Sequence, residues 1–225
     1  MGPFENVAED YDRWYDTIEG AAILAAELEC LRTVAPQMQG NWLEIGVGTG
    51  RFASALGVAE GIDPSPSMLA IAARRGIATR VGTGENLPYP CELFSGVLMV
   101  AVLCFMKDVP RAFGECSRVL RPDGTLLIGH IPADGPWGRD YIRKAAEGHP
   151  IYSHAHFTTV TDVLATARAT GFQLESAASG LFQSPGSPFE IPPRVQPGIV
   201  SGAGFVALAL RRAVAGSFAP VNRRE

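Results

Sequence analysis

The chain lacks most of what would mark a nucleic-acid binder, a membrane protein or a metal centre. Its 225 residues carry a formal net charge of −4, and no basic cluster exceeds two adjacent arginines before the tail. A nucleic-acid partner needs a basic face, so none is expected. The longest apolar run, Val97 to Met106, falls well short of the ~20 residues that a bilayer span takes. The opening Met1-Gly2-Pro3-Phe4-Glu5-Asn6 has neither the basic nor the apolar region of a signal peptide, so none is expected. The four cysteines (Cys30, Cys91, Cys104 and Cys116) are scattered, with no C-x-x-C and no His-Cys cluster. Neither zinc nor another metal is expected, and scattered thiols suit a reducing cytoplasm.

What is present is a chain with 47% hydrophobic residues, enough to fill the core of one α/β domain. Apolar stretches of strand length alternate with helical ones. Strands are expected at 41–45, 59–62, 78–81, 96–102, 125–131, 172–178 and 204–210. Helices are expected at 20–34, 51–56, 66–75, 108–120, 138–147 and 161–170. Ser65 and Pro66 suit the N-cap and first turn of the third helix, and Gly76 suits its stop. The 96–102 run is apolar on both faces, as a central parallel strand is. This alternation predicts a doubly wound α/β sheet with helices on both faces. The expected organisation is a single domain over 1–210, with a helical lid at 1–36. A proline-rich irregular loop at 180–203 and a disordered tail at 211–225 complete it.

Residues Asn41 to Ser65 carry the most chemistry. The apolar run Trp42, Leu43, Ile45 ends in three alternating glycines, Gly46, Gly48 and Gly50. A second apolar stretch then ends in Asp63. Glycines let backbone approach a ligand where a Cβ would collide, and a carboxylate at a strand tip can grip both hydroxyls of a ribose. The pattern points to a nucleoside-containing cofactor. A dinucleotide fingerprint would need glycine at position 51, which is Arg51, and an acid somewhat later than Asp63. A P-loop would need a following Gly-Lys-Ser/Thr, which is absent.

The motif Leu43-Glu44-Ile45-Gly46-Val47-Gly48-Thr49-Gly50 resembles motif I of class I S-adenosylmethionine-dependent methyltransferases. Gly61-Ile62-Asp63-Pro64-Ser65 with Ser67-Met68-Leu69 resembles the second motif, and Gly82 to Pro88 the third. The likeness runs from about Val7 to Leu210 and is nearest to small bacterial members of the UbiE-like, methyltransferase-11 group. It implies a Rossmann-like, mostly parallel seven-stranded sheet. It also implies a methyl donor, S-adenosyl-L-methionine, that leaves as S-adenosyl-L-homocysteine. Gly46, Gly48 and Gly50 would line the methionine and ribose, and Asp63 with Pro64 would hold the ribose. Glu44 would draw the donor's ammonium or cap local backbone donors. Met68 would pack on the adenine or merely in the core. Gly84, Glu85 and Asn86 would flank the adenine, Ala101 and Val102 would close the strand end, and Tyr11 would cover the site. Two positions depart from the family pattern: Thr83 and Ser95 stand where an Asp is common.

Tyr11-Asp12-Arg13-Trp14-Tyr15 resembles a lid that excludes water from the methyl transfer, or else a helix packed by its aromatics. Acceptor determinants are expected at Cys104-Phe105, His130, Trp137-Gly138-Arg139, Tyr141 and Ile151 to Phe157. His154 and Tyr15 are the candidate catalytic groups. An unperturbed histidine pKa suits proton removal, although surface or structural roles are commoner for any one histidine. His154 and His156 form half a metal site with no third ligand evident. The expected function is in-line transfer of a methyl group to a small-molecule acceptor. The alternatives are a non-catalytic S-adenosylmethionine-binding module and a protein methyltransferase. The acceptor atom and the choice between monomer and homodimer stay open.

Overall fold

The computed structural model describes residues 3–35 and 37–213. The chain order is α1 (Ala8–Trp14), α2 (Ile18–Val34), β1 (Trp42–Ile45), α3 (Arg51–Leu56), β2 (Glu60–Asp63), α4 (Pro66–Arg74) and β3 (Ala78–Val81). It continues through β4 (Phe94–Val100), α5 (Val109–Val119), β5 (Leu120–His130), α6 (Pro136–Ala146), α7 (Val160–Ala169), β6 (Phe172–Gly180), β7 (Gln196–Pro197) and β8 (Phe205–Arg212). The helix starts follow side-chain chemistry. Ser65 caps α4 by accepting from Met68 N–H, and Asp108 caps α5 by accepting from Arg111 N–H. Thr159 and Asp162 form a reciprocal capping box on α7.

The strands lie in the order β3-β2-β1-β4-β5-β8-β6-β7. The first five pair in parallel, whereas β8 runs antiparallel to β5 and β6, and β7 antiparallel to β6. The sheet therefore has eight strands where seven are expected. The eighth, β7, is a two-residue strand inside the segment expected to be irregular. It pairs with Ala178 and Ser179, and the Ser179 hydroxyl secures the same stretch at Gly198 and Val200. Another boundary differs: β8 continues to Arg212, because Arg211 and Arg212 still pair with β5 and β6. The remainder of the expected tail, 214–225, lies outside the described residues. Pro122-Asp123-Gly124 falls within β5, where pairing jumps from Leu120 to Thr125.

Central strands are buried on both faces, and alternate residues feed two cores. Leu43, Val97, Met99, Leu126 and Leu208 pack with Phe113 of α5 and Phe172. Trp42, Leu98, Leu127 and Ala207 pack on the other side with Leu31 of α2 and Phe52 of α3. This is the period-2 alternation of a strand covered by helices on both sides. Strand order reverses between β1 and β4, so their carboxyl ends open a crevice at the switch point. Phe113 is fully buried. Phe113→Ala is expected to lower the unfolding free energy by about 3–5 kcal/mol, read as an earlier urea midpoint. A change below about 1 kcal/mol would contradict the core assignment.

Candidate functional site

At the crevice, β1 ends at Ile45 and the chain turns at once through Gly46 and Gly48, with φ of 71° and 52°. A Cβ on Gly46 would lie 2.3 Å from the Val102 side chain. Only glycine lets the turn pass this close to the chain leaving β4. The N–H groups of Gly46 and Val47 both donate to the Ile62 carbonyl, at 2.8 and 3.1 Å. Asp63 completes the link: its Oδ2 accepts from Gly48 N–H at 3.0 Å and its Oδ1 from Ser65 N–H at 2.9 Å. Each oxygen thus spends one lone-pair direction on backbone and keeps another for a ligand. Burial raises the Asp63 pKa, opposed by the two backbone donors.

These groups line a cavity of about 600 Å³, within the roughly 300–1,000 Å³ typical of small-molecule sites. Tyr11, Glu44, Gly46, Gly48, Asp63 and Pro64 reach it, as do Met68, Ala101, Val102, Tyr15 and His154. Ala101 itself takes a left-handed φ of 51° as the chain leaves β4. Four expected residues do not line this cavity. Gly50 caps α3 in the left-handed conformation, and a Cβ there would meet Ile77 at 2.4 Å, so its task is packing. Gly84 packs against Ile45 and Met106, and the Glu85 carboxylate accepts from Lys107 N–H at 3.0 Å. Both therefore support the Met106–Lys107 wall from behind. Asn86 closes a turn with Thr83 and is exposed.

Glu44 tests the fit of the expected methyl donor. It is 1% exposed and its Oε2 has no partner. Burial holds its pKa well above the carboxylate range, against a weaker pull from Ala53 N–H. A buried, half-satisfied carboxyl at the rim of a nucleoside-sized cavity is what the donor's ammonium would complete. The glycine cradle and the outward lone pairs of Asp63 fit the rest of that molecule.

The N-terminal segment lines the cavity and is held by ions that the sequence reading missed. Arg51 binds Asp12 at 2.9 Å and Asp16 at 2.7 Å, and Arg75 binds Asp12 at 2.8 Å. Glu5 accepts from the hydroxyls of Ser65 and Ser67 at 2.6 and 2.7 Å. Arg51 and Asp12 lie 39 positions apart, and nothing local signals their pairing. The Phe4 ring stands edge-on to Tyr11 and Phe105, with centroids 5.6 and 5.0 Å away.

Behind these rings a second cavity of about 330 Å³ opens, sharing Phe4, Tyr11, Tyr15, Ala101 and Phe105 with the first. Cys104, Trp137, Tyr141 and Phe157 line it as acceptor determinants would. Other expected determinants lie elsewhere. His130 is 4% exposed and its Nε2 sits 2.9 Å from the Thr158 carbonyl. Burial lowers its pKa to about 4, so it is a neutral structural group. Gly138 packs against the Pro132 carbonyl, and Arg139 binds the Asp134 carbonyl. Tyr15 is buried beside Tyr11, their hydroxyls 3.2 Å apart, and burial raises both phenols. Among the described residues, no group of three or more His, Cys, Asp or Glu is placed to hold a metal. No described helix is long and apolar enough to cross a membrane. The second cavity also contains Glu27 of α2. Its one sequence signal is its spacing from Ile23 and Leu31, which puts an acid on the apolar stripe of the helix.

Two outcomes are expected. Asp63→Ala removes the acceptor facing the cavity and weakens S-adenosylhomocysteine binding by about 1–3 kcal/mol in titration calorimetry; unchanged affinity would remove Asp63 from the site. Asp12 gives a pH signature. Burial alone would raise its pKa, but hydrogen bonds from Arg51 and Arg75 prevail and hold it at about 2, below the ordinary 3.8. A carboxyl depressed in the folded state stabilises above its ordinary pKa and loses that contribution as pH falls through the folded value. The difference in melting temperature between the wild type and Asp12→Asn should therefore shrink from pH 3.8 down to about 2. A difference independent of pH would contradict the ion-paired lid.

A family model described as a methyltransferase domain matches residues 43–128. An uncharacterised protein of Mycobacterium tuberculosis is 40% identical over 202 residues, covering 90% of this chain and 71% of the relative. A demethylmenaquinone methyltransferase of Tropheryma whipplei is 33% identical over 137 residues, 56% of either chain. One solved structure, from Thermotoga maritima, is named a SAM-dependent methyltransferase and possible histamine N-methyltransferase. It superposes with a TM-score of 0.84 at 33% identity, covering 93% of this chain and 97% of its own. With a glycine turn, a strand-tip carboxylate and a switch-point cavity beside these likenesses, the chain belongs to the class I S-adenosyl-L-methionine-dependent methyltransferases.

Proposed function

We propose that the protein methylates a small molecule held in the second cavity. The observation that carries this reading is the junction of the two cavities at Tyr11, Tyr15, Ala101 and Phe105. S-adenosyl-L-methionine supplies an electrophilic methyl: the acceptor's lone pair forms the new bond as the carbon–sulfur bond breaks and its electron pair leaves with sulfur. The residues need only align the acceptor, exclude water and dispose of a proton, since proximity and desolvation provide most of the gain. Phe4, Tyr11 and Tyr15 exclude water. His154, exposed at the rim of the first cavity, is the candidate to pass a proton outward. A cavity of about 330 Å³ suits a small molecule better than a protein side chain with its backbone. The small molecule named for the Thermotoga maritima neighbour supports the same size class. The four free thiols support a cytoplasmic setting.

Incubation with methyl-labelled S-adenosylmethionine and a mixed panel of amines, phenols and thiols tests this. Label is expected in the small-molecule fraction. Label found only in protein from an added lysate would favour a protein methyltransferase. Tight donor binding with no transfer to any acceptor would favour a non-catalytic module.

A further inference from the structure

Glu27 sits where an acid is costly. It projects from the middle of α2, is 5% exposed and lines the second cavity. Among the described residues it makes no hydrogen bond and no ion pair, and burial alone raises its pKa, to about 8. Desolvating a carboxylate without a partner is unfavourable, so an unpartnered one facing a cavity implies a partner that arrives with the ligand. The surroundings specify that partner's sign. Trp14, Tyr141 and Tyr152 line the same cavity, with Tyr141 and Tyr152 stacked on each other at 4.3 Å. A buried acid in an aromatic-lined cavity favours a cation as its partner. The cation already present, Lys144, is committed to Asp140 at 2.9 Å and to the face of Tyr141.

We propose that the second cavity binds an organic amine, its ammonium on the Glu27 carboxylate and its carbon skeleton against Trp14, Tyr141 and Tyr152. This inference rests on the small-molecule reading above and names the class of acceptor. Glu27 also accounts for the proton. It lines the same cavity as Tyr11 and Tyr15, the residues where the two cavities join. In an apolar cavity the neutral amine–carboxylic acid pair gains on the charged pair. The ammonium therefore passes one proton to Glu27 and frees its lone pair. That lone pair forms the nitrogen–carbon bond while the carbon–sulfur pair leaves with sulfur. Glu27 touches the acceptor and acts as both its anchor and its base, in place of His154, which lines the first cavity and not the second.

The test uses full-length protein saturated with S-adenosylhomocysteine, titrated with phenethylamine, tryptamine and butylamine and with the corresponding alcohols. The amines are expected to bind at least about tenfold more tightly than their alcohols. Glu27→Gln should weaken amine binding by about thirtyfold or more, the usual consequence of removing one partner of a buried charge pair. It should leave S-adenosylhomocysteine affinity within about twofold, since Glu27 does not line the first cavity. Alcohols binding as well as amines, no binding of either class, or an unchanged amine affinity in Glu27→Gln would each overturn the proposal. If Glu27→Gln does not fold, the wild-type amine-to-alcohol ratio decides alone. A wild type that fails to bind S-adenosylhomocysteine at all counts against the methyltransferase site itself, not against Glu27.

Discussion

The site depends on one tie across two strands. Asp63, at the tip of β2, accepts the Gly48 N–H from the turn after β1, while the Ile62 carbonyl takes two more N–H groups of the same turn. A glycine turn alone is floppy. These three bonds hold it in one left-handed path and aim its backbone into the crevice. The same carboxylate also holds Ser65 N–H at the start of α4. The turn, the strand tip and the helix entry therefore move as one body, and the outer lone pairs of Asp63 face the cavity in a fixed direction. Preorganisation of this kind reduces the ordering cost that ligand binding would otherwise carry.

The N-terminal segment is fastened by charge. Three charged contacts, Arg51 to Asp12 and Asp16 and Arg75 to Asp12, join α1 and the turn after it to the start of α3 and the end of α4. The two made by Asp12 are partly shielded from water, where ion pairs have more effect than on an open surface, whereas Asp16 is exposed. Arg51 occupies the position that a dinucleotide-binding turn would give to glycine. That substitution both excludes the dinucleotide reading and supplies the lid's anchor. The rings that the lid brings in then divide the interior in two. One part is lined by glycine and acid; the other is lined by aromatics and holds Glu27. A methyl donor and an acceptor need this division, because they must meet only where the two spaces join.

Much of this was legible from local pattern. The strands β1 to β4 and helices α3 to α5 follow from apolar runs, caps and glycine stops, and the motifs around Gly46 and Asp63 mark the crevice. What was not legible depends on long-range contact. β7 is two residues inside a proline-rich stretch and forms because Ala178 and Ser179 offer an edge; nothing in its own sequence is strand-like. β5 starts earlier than its apolar run because Leu120 pairs with Phe94 across a break in register. Gly50 and Gly84 belong to the motifs, yet packing against Ile77 and Ile45 uses them. Glu27 reads as one more charge on an amphipathic helix until α6 and the 151–157 segment close over it. His130 reads as a site group until its burial beside Thr158 is seen.

The most direct test is a crystal structure of the protein with S-adenosylhomocysteine. Both ribose hydroxyls are expected within about 3 Å of the Asp63 oxygens. The amino group is expected toward Glu44 Oε2 and the sulfur at the opening beside Tyr11, Tyr15 and Ala101. A ligand bound elsewhere, or one in the crevice whose ribose does not touch Asp63, would contradict this placement.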